Sequence, residues 1–231
     1  MNEYQFVRVI KQHFDEEGFY SLREIGVGYG IADLVLINKR KINIDNCRVR
    51  KNHKQLSPLL SENYFKTLRF IPDEESDDDY VNFSYIAERS CLSKSYLKSK
   101  ILTFLESHGY IKRIEGDFYI KVNGWIPIAQ EIIAIEAKLC DWKRGALQAN
   151  RYKAFAHQVY LAIPESKEHI IDKSYFKKHE IGLMVFDNKS KTKEIVINCP
   201  SKEPFDKNKF YLALEYFWRE LQSVNLTKLQ F

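Results

Sequence analysis

The sequence predicts an α/β fold, a mixed sheet flanked by helices, with a smaller run of helices and a hairpin inserted in it. Three observations carry this. Strand-like and helix-like segments alternate at both ends of the chain. A basic run at 39–54, with seven Lys or Arg against one acid, and an acidic run at 73–79 bracket the approach to a different pattern. Hydrophobic residues make up 45% of 231, with fourteen Tyr and fifteen Phe, enough for a sizeable core in one or two domains.

Residues 3–17 read as a helix, with Phe6, Val9, Ile10 and Phe14 at helical spacing and Gly18 to end it. A strand at 19–25 and the buried run IADLVLI at 31–37 flank a turn marked by Gly26, Gly28 and Gly30. Both charged runs read as solvated loops. Residues 84–90 form a short helix, Cys91 and Leu92 a turn, and Ser93 caps a helix ending near Gly109. Alternating strands at 110–114 and 118–122 follow, joined by Glu115, Gly116 and Asp117. The α/β pattern then resumes: strand 132–138, helix 143–156, strand 158–163 stopped by Pro164, short helix 173–179 and strand 181–187. An edge strand at 193–198 and a closing helix at 206–222 complete it.

Composition excludes several classes. No stretch reaches the roughly 18 uncharged apolar residues of a membrane span. The N-terminal segment lacks the apolar run and cleavage site of a signal peptide, so a cytoplasmic protein is expected. Cys47, Cys91, Cys140 and Cys199 lie far apart, so neither structural zinc nor disulfides are expected. A net charge of +5 permits nucleic-acid binding without arguing for it.

Asp33, Glu136 and Lys138 interrupt apolar strands, where a charge is costly unless paired or bound to metal. Side chains two apart on a strand share a face, so Glu136 and Lys138 project together. Two carboxylates suit a hard divalent cation such as Mg²⁺ or Mn²⁺, with the backbone carbonyl of Ala137 as a further ligand. Such a metal activates water against a phosphodiester, and a lysine beside it deprotonates that water or stabilises developing charge. The bland alternative is a buried ion pair between Glu136 and Lys138, with Asp33 capping a turn.

These residues resemble the PD-(D/E)XK, or restriction endonuclease-like, nucleases. Asp33 opens a strand after a glycine-rich turn, and Glu136, Ala137 and Lys138 are the E-x-K. The following KRGALQANRYKAFAHQVYLAIP is helix then strand, as in Mrr-like endonucleases and archaeal Holliday-junction resolvases. The resemblance spans 3–37 and 132–187. It implies an auxiliary acid on the first helix, best placed at Glu3, and auxiliary roles for Gln148 and Tyr152, one turn apart. Glu3 alternatively just favours a helix N-terminus, and Gln148 and Tyr152 are otherwise surface or packing residues. Two features depart from the family: Ala32 stands where it has Pro, and residues 54–122 intervene where it has a short hairpin.

That intervening segment resembles the winged helix-turn-helix of bacterial regulators, with Ile86, Ala87, Leu92, Leu97, Ile101, Leu105 and Ile111 at its core positions. The resemblance implies a second helix in the major groove, presenting Lys94, Ser95, Tyr96, Lys98, Ser99 and Lys100, with Lys112 and Arg113 on the wing. A winged helix used for protein contact is the alternative. The expected domains are a nuclease-like core of 1–50 and 123–231 and an insert of 54–122. The expected activity is metal-dependent DNA endonuclease, in restriction or repair, with Lys143, Arg144 and Arg151 near phosphates. DNA is the expected partner and a homodimer is left open. The rival is a non-catalytic DNA-binding protein whose nuclease-like core serves as scaffold or dimerisation domain.

Overall fold

A computed structural model describes residues 1–74, 79–187 and 192–222. The acidic run at 73–79 therefore falls partly outside the described residues. In chain order the first elements are α1 (Glu3–Glu16), β1 (Phe19–Gly26), β2 (Ile31–Asn38), α2 (Ile44–Asn52) and α3 (Glu62–Leu68). Then come β3 (Val81–Asn82), α4 (Phe83–Ser90), a helix α5 over 94–107, β4 (Ile111–Ile114) and β5 (Phe118–Lys121). The chain continues with β6 (Ile133–Ala137), α6 (Trp142–Arg151), β7 (Gln158–Pro164), α7 (Lys173–Lys178), β8 (Gly182–Asp187), β9 (Thr192–Ile197) and α8 (Lys207–Leu221).

Two compact units divide the chain: 1–42 with 129–213, and 43–128 with 214–222 among the described residues. The expected boundaries differ from this division in three places: residues 43–50, 123–128 and 214–222, assigned to the larger part from sequence, lie in the smaller one.

The larger unit holds a mixed six-stranded sheet in the order β1-β2-β6-β7-β8-β9. The pairs β1/β2, β2/β6 and β8/β9 are antiparallel, while β6/β7 and β7/β8 are parallel. The parallel pairs require crossovers, which α6 and α7 supply. Asn2 caps α1 through a reciprocal pair with Gln5, satisfying two otherwise orphaned amides. The helix buries Phe6, Val7, Ile10 and Phe14, so Val7 rather than Val9 completes its apolar face. Phe6 packs edge-on to Phe186 of β8. Helix α6 approaches Leu161 of β7 at Gly145. Phe186 and Leu161 point to opposite faces by register, so α1 and α6 cover opposite sides of the sheet.

In the smaller unit β3, β5 and β4 form a three-stranded sheet in that order. Asn82 caps α4 by accepting the Tyr85 amide, and Ser93 caps α5 by accepting that of Tyr96. Cys91 turns the chain between them in a left-handed conformation. Residues 97–102 of α5 are π-helical, and both the amide and the hydroxyl of Thr103 bond to the Lys98 carbonyl. Ile86, Ala87, Leu97, Ile101, Leu105 and Ile111 are buried as expected, while Leu92 is half-buried.

The 39–54 run is not a loop. Most of it is α2, capped by Asn43, and it places Arg50 in the core of the smaller unit with no exposure. Arg50 meets Glu215 of α8 through two bonds, of 2.7 and 3.0 Å. Glu215 also accepts from Trp125 Nε1 at 2.7 Å and the Leu59 amide at 2.8 Å. The Arg50 guanidinium lies 4.5 Å from the Trp218 ring and donates to the Tyr110 hydroxyl. The buried charge is tolerated because the two terminal nitrogens of the guanidinium are paired, although its Nε has no partner among the described residues. Among the described residues, no helix is long and apolar enough to cross a membrane.

Candidate active site

The site forms where β2 and β6 part in the larger unit. Their ladder runs from Leu36 and Ile133 to Leu34 and Ile135 and stops. One further step of that register sets Asp33 across from Glu136, on one face of the sheet. Where backbone pairing ends, the Asp33 side chain takes over: its Oδ2 accepts the Ala137 amide at 2.8 Å. Asp33 Oδ1 makes no hydrogen bond among the described residues.

Glu136 is only 1% exposed, so both its oxygens need partners. Oε1 lies 2.9 Å from Lys138 Nζ, and Oε2 accepts from the Tyr152 hydroxyl at 2.5 Å. Lys138 also reaches Glu3 Oε2 at 3.6 Å, which brings the first turn of α1 to the cluster. Tyr152 is buried, and its hydroxyl lies 2.8 Å from the Ile31 carbonyl. Gln148, one turn earlier on α6, has a buried Oε1 with no partner among the described residues.

Burial pushes the Asp33 carboxyl above its usual range, against the pull of the Ala137 amide and Lys138. Burial also raises Glu136, and the Asp33 charge adds to it, while Tyr152 and Lys138 pull the other way. Burial alone would lower the Lys138 ammonium. Its hydrogen bond to Glu136 and the charges of Glu136, Asp33 and Glu3 outweigh that and hold it above its ordinary value. Lys138 is therefore a cation at neutral pH. Burial and the Glu136 charge push the Tyr152 phenol far up, so it is a neutral donor.

The expected Asp33, Glu136, Lys138, Glu3 and Tyr152 thus meet in one cluster, with Ala137 between the strands. The donors are hard oxygens, two of them carboxylates, which suits a cation that keeps its waters. Among the described residues, no three of His, Cys, Asp and Glu are grouped to hold a metal by themselves.

Two residues of the site were not singled out from sequence. Glu24 has a left-handed φ of 57°, and its charge acts on Asp33. Pairing back from the Gly26–Gly30 turn places it opposite Asp33, so the hairpin signal could have found it. At Gly145 an added Cβ would come within 2.7 Å of Lys138 Cγ and 2.6 Å of Leu161 Cδ1. A glycine inside a helical pattern was its only signal.

Lys94, Ser95, Tyr96, Lys98, Ser99 and Lys100 are exposed along α5. The two hairpin cations are less free: Lys112 pairs with Glu74 at 2.6 Å, and Arg113 with Asp117. Lys98 lies 3.9 Å from the same Asp117. Lys143, Arg144 and Arg151 are exposed on α6.

No protein-family model matches the sequence, and no curated protein does. Among solved structures, the chain is similar to the SPO1766 protein of unknown function from Silicibacter pomeroyi, at 11% identity and a TM-score of 0.46. That similarity covers 99% of this chain and 92% of the other.

Proposed function

We propose that this protein is a metal-dependent DNA endonuclease, with a PD-(D/E)XK-like core in the larger unit and a DNA-binding winged helix in the smaller. One observation carries the reading: Asp33 and Glu136 converge at a parting strand pair, with the Lys138 ammonium 2.9 Å from Glu136. Asp33 and Glu136, with the Ala137 carbonyl, would hold Mg²⁺ or Mn²⁺. Such an ion, when bound, supplies Lewis-acid polarisation of a phosphate oxygen and a more acidic water.

The protein's own groups divide the rest. Lys138, 2.9 Å from Glu136, stabilises negative charge at the phosphate. Tyr152 fixes the Glu136 carboxylate from behind. Gln148 offers a carbonyl oxygen to orient a water. Exposed Lys94, Ser95, Tyr96, Lys98 and Lys100 meet the duplex, with Lys112 and Arg113 contributing after they exchange their acidic partners for phosphates.

A non-catalytic DNA-binding protein is the second reading. It is favoured by the fact that both Glu136 oxygens already have partners within the chain. Melting in the presence of Mg²⁺ or Mn²⁺ separates the two. A metal site raises the melting temperature of the wild type and not of Asp33→Asn. Equal melting with and without metal supports the scaffold.

A further inference from the structure

Helix α1 and strand β1 enclose a cleft of about 480 Å³ that no step above uses. Gln5, Arg8, Lys11, Gln12, Asp15 and Arg23 line it, three cations against one acid. Lys11 is bound to Asp15 at 2.6 Å, which leaves Arg8 and Arg23 to set its charge. Arg8 is exposed and has no ion pair among the described residues. Arg23 reaches its exposed neighbour Glu24 at 3.4 Å, and its Nε is buried without a partner among the described residues.

At one end, the Tyr4 ring lies over Arg23, 4.4 Å from guanidinium carbon to centroid, and is 55% exposed. Its phenol is pulled below its ordinary value, first by the hydrogen bond to Arg23, then by the charges of Arg23 and Arg8. Tyr4 follows Glu3, which pairs with Lys138, so the N-terminal end of the cleft lies near the cluster. Arg23 pairs with Leu34 and so projects to the sheet face opposite Asp33. Along α1, Glu3 to Gln12 covers about 13 Å at 1.5 Å per residue.

A flat ring backed by the Arg23 guanidinium, with the Arg8 cation on the same helix, suits a base and its phosphates. The volume lies within the roughly 300–1,000 Å³ of small-ligand pockets, room for a base. We propose that the α1–β1 groove holds an unpaired DNA strand, a base stacked on Tyr4 and phosphates on Arg8 and Arg23. This deepens the nuclease reading and rests on it for the choice of DNA.

The test is anisotropy of a short labelled oligothymidine, without divalent metal, on the full chain. Variants Tyr4→Ala, Tyr4→Phe and Arg8→Ala are compared at matched melting temperatures. Tyr4→Ala weakens binding about five- to a hundredfold, and Tyr4→Phe retains it. Arg8→Ala lowers the slope of log affinity against log salt by about 0.7, one phosphate contact. A matched duplex loses less than the single strand in Tyr4→Ala. Unchanged affinity and slope in the folded variants overturn the proposal, as does a wild type that fails to bind single strands or prefers oligouridine. Because no cleavage is read, the groove stands on these results even if the protein cuts nothing. It falls on the contrary results even if the protein cuts.

Discussion

The Tyr152 hydroxyl lies 2.5 Å from Glu136 Oε2 and 2.8 Å from the Ile31 carbonyl, yet carries one hydrogen. That single hydrogen is divided between the Glu136 carboxylate and the Ile31 carbonyl. Burial and the Asp33 charge raise the Glu136 carboxyl, and the Tyr152 hydrogen bond pulls against them. A bound cation would likewise favour the ionised carboxylate.

Tyr152→Phe therefore shifts the working range of the site. It removes a hydrogen bond that pulls Glu136 down, so the carboxyl rises further and ionises at higher pH. Cleavage is expected to need more metal and a higher pH, with a stability loss of about 0.5–1.5 kcal/mol from the lost hydrogen bond. A pH–rate profile identical to wild type would remove Tyr152 from the site.

Gly145→Ala tests how closely α6 must approach. The substitution favours helix, but its Cβ meets Lys138 Cγ and Leu161 Cδ1 inside ordinary contact distance. A cost of about 1–3 kcal/mol is expected from overpacking. Displacement of Lys138 lowers the cleavage rate even at temperatures where the variant is fully folded, which circular dichroism checks in parallel.

The smaller unit offers a separate test. Glu215 and Arg50 have no exposed surface, and Glu215 accepts four hydrogen bonds. Glu215→Ala strands the guanidinium, so a loss of about 3–5 kcal/mol is expected in urea unfolding. Arg50→Met with Glu215→Leu loses less than the summed single changes, though the Leu59 amide and Trp125 Nε1 still lack an acceptor. Full additivity would show that the pair does not act as a unit.

His157 sets a pH dependence. Burial lowers its pKa against the charges of Glu203 and Glu131. Its Nδ1 accepts the Ile132 amide and its ring meets Phe210 edge-on, a setting for the neutral form. The unfolded chain thus binds a proton more readily than the folded one. Stability is complete above the ordinary histidine value of about 6.5 and is lost as pH falls from there through the folded value. His157→Gln is expected to flatten that part of the urea-unfolding profile between pH 7.5 and 5.5.

Local signals explain what the sequence made legible. Charges breaking apolar strands marked Asp33, Glu136 and Lys138, and helical spacing placed Gln148 and Tyr152 one turn apart. Ser93 announced α5 because a cap acts within three residues. Helix α2 was missed because IDNCRVRKN carries no apolar stripe, and Arg50 reads as solvated until Glu215 arrives from far along the chain. The pairing of Lys112 and Arg113 with acids was hidden likewise, since Glu74 is distant and a hairpin's side-chain partners depend on register.

The central claim is that Asp33, Glu136 and Lys138 cut DNA with a divalent cation. Its most direct test is incubation of supercoiled plasmid and a panel of branched and single-stranded DNA with Mg²⁺ or Mn²⁺, comparing wild type with Lys138→Ala. The account predicts metal-dependent nicking by wild type and none by Lys138→Ala, both folded. Equal cutting by the two, or salt-sensitive DNA binding with no cutting of any substrate by wild type, would contradict it.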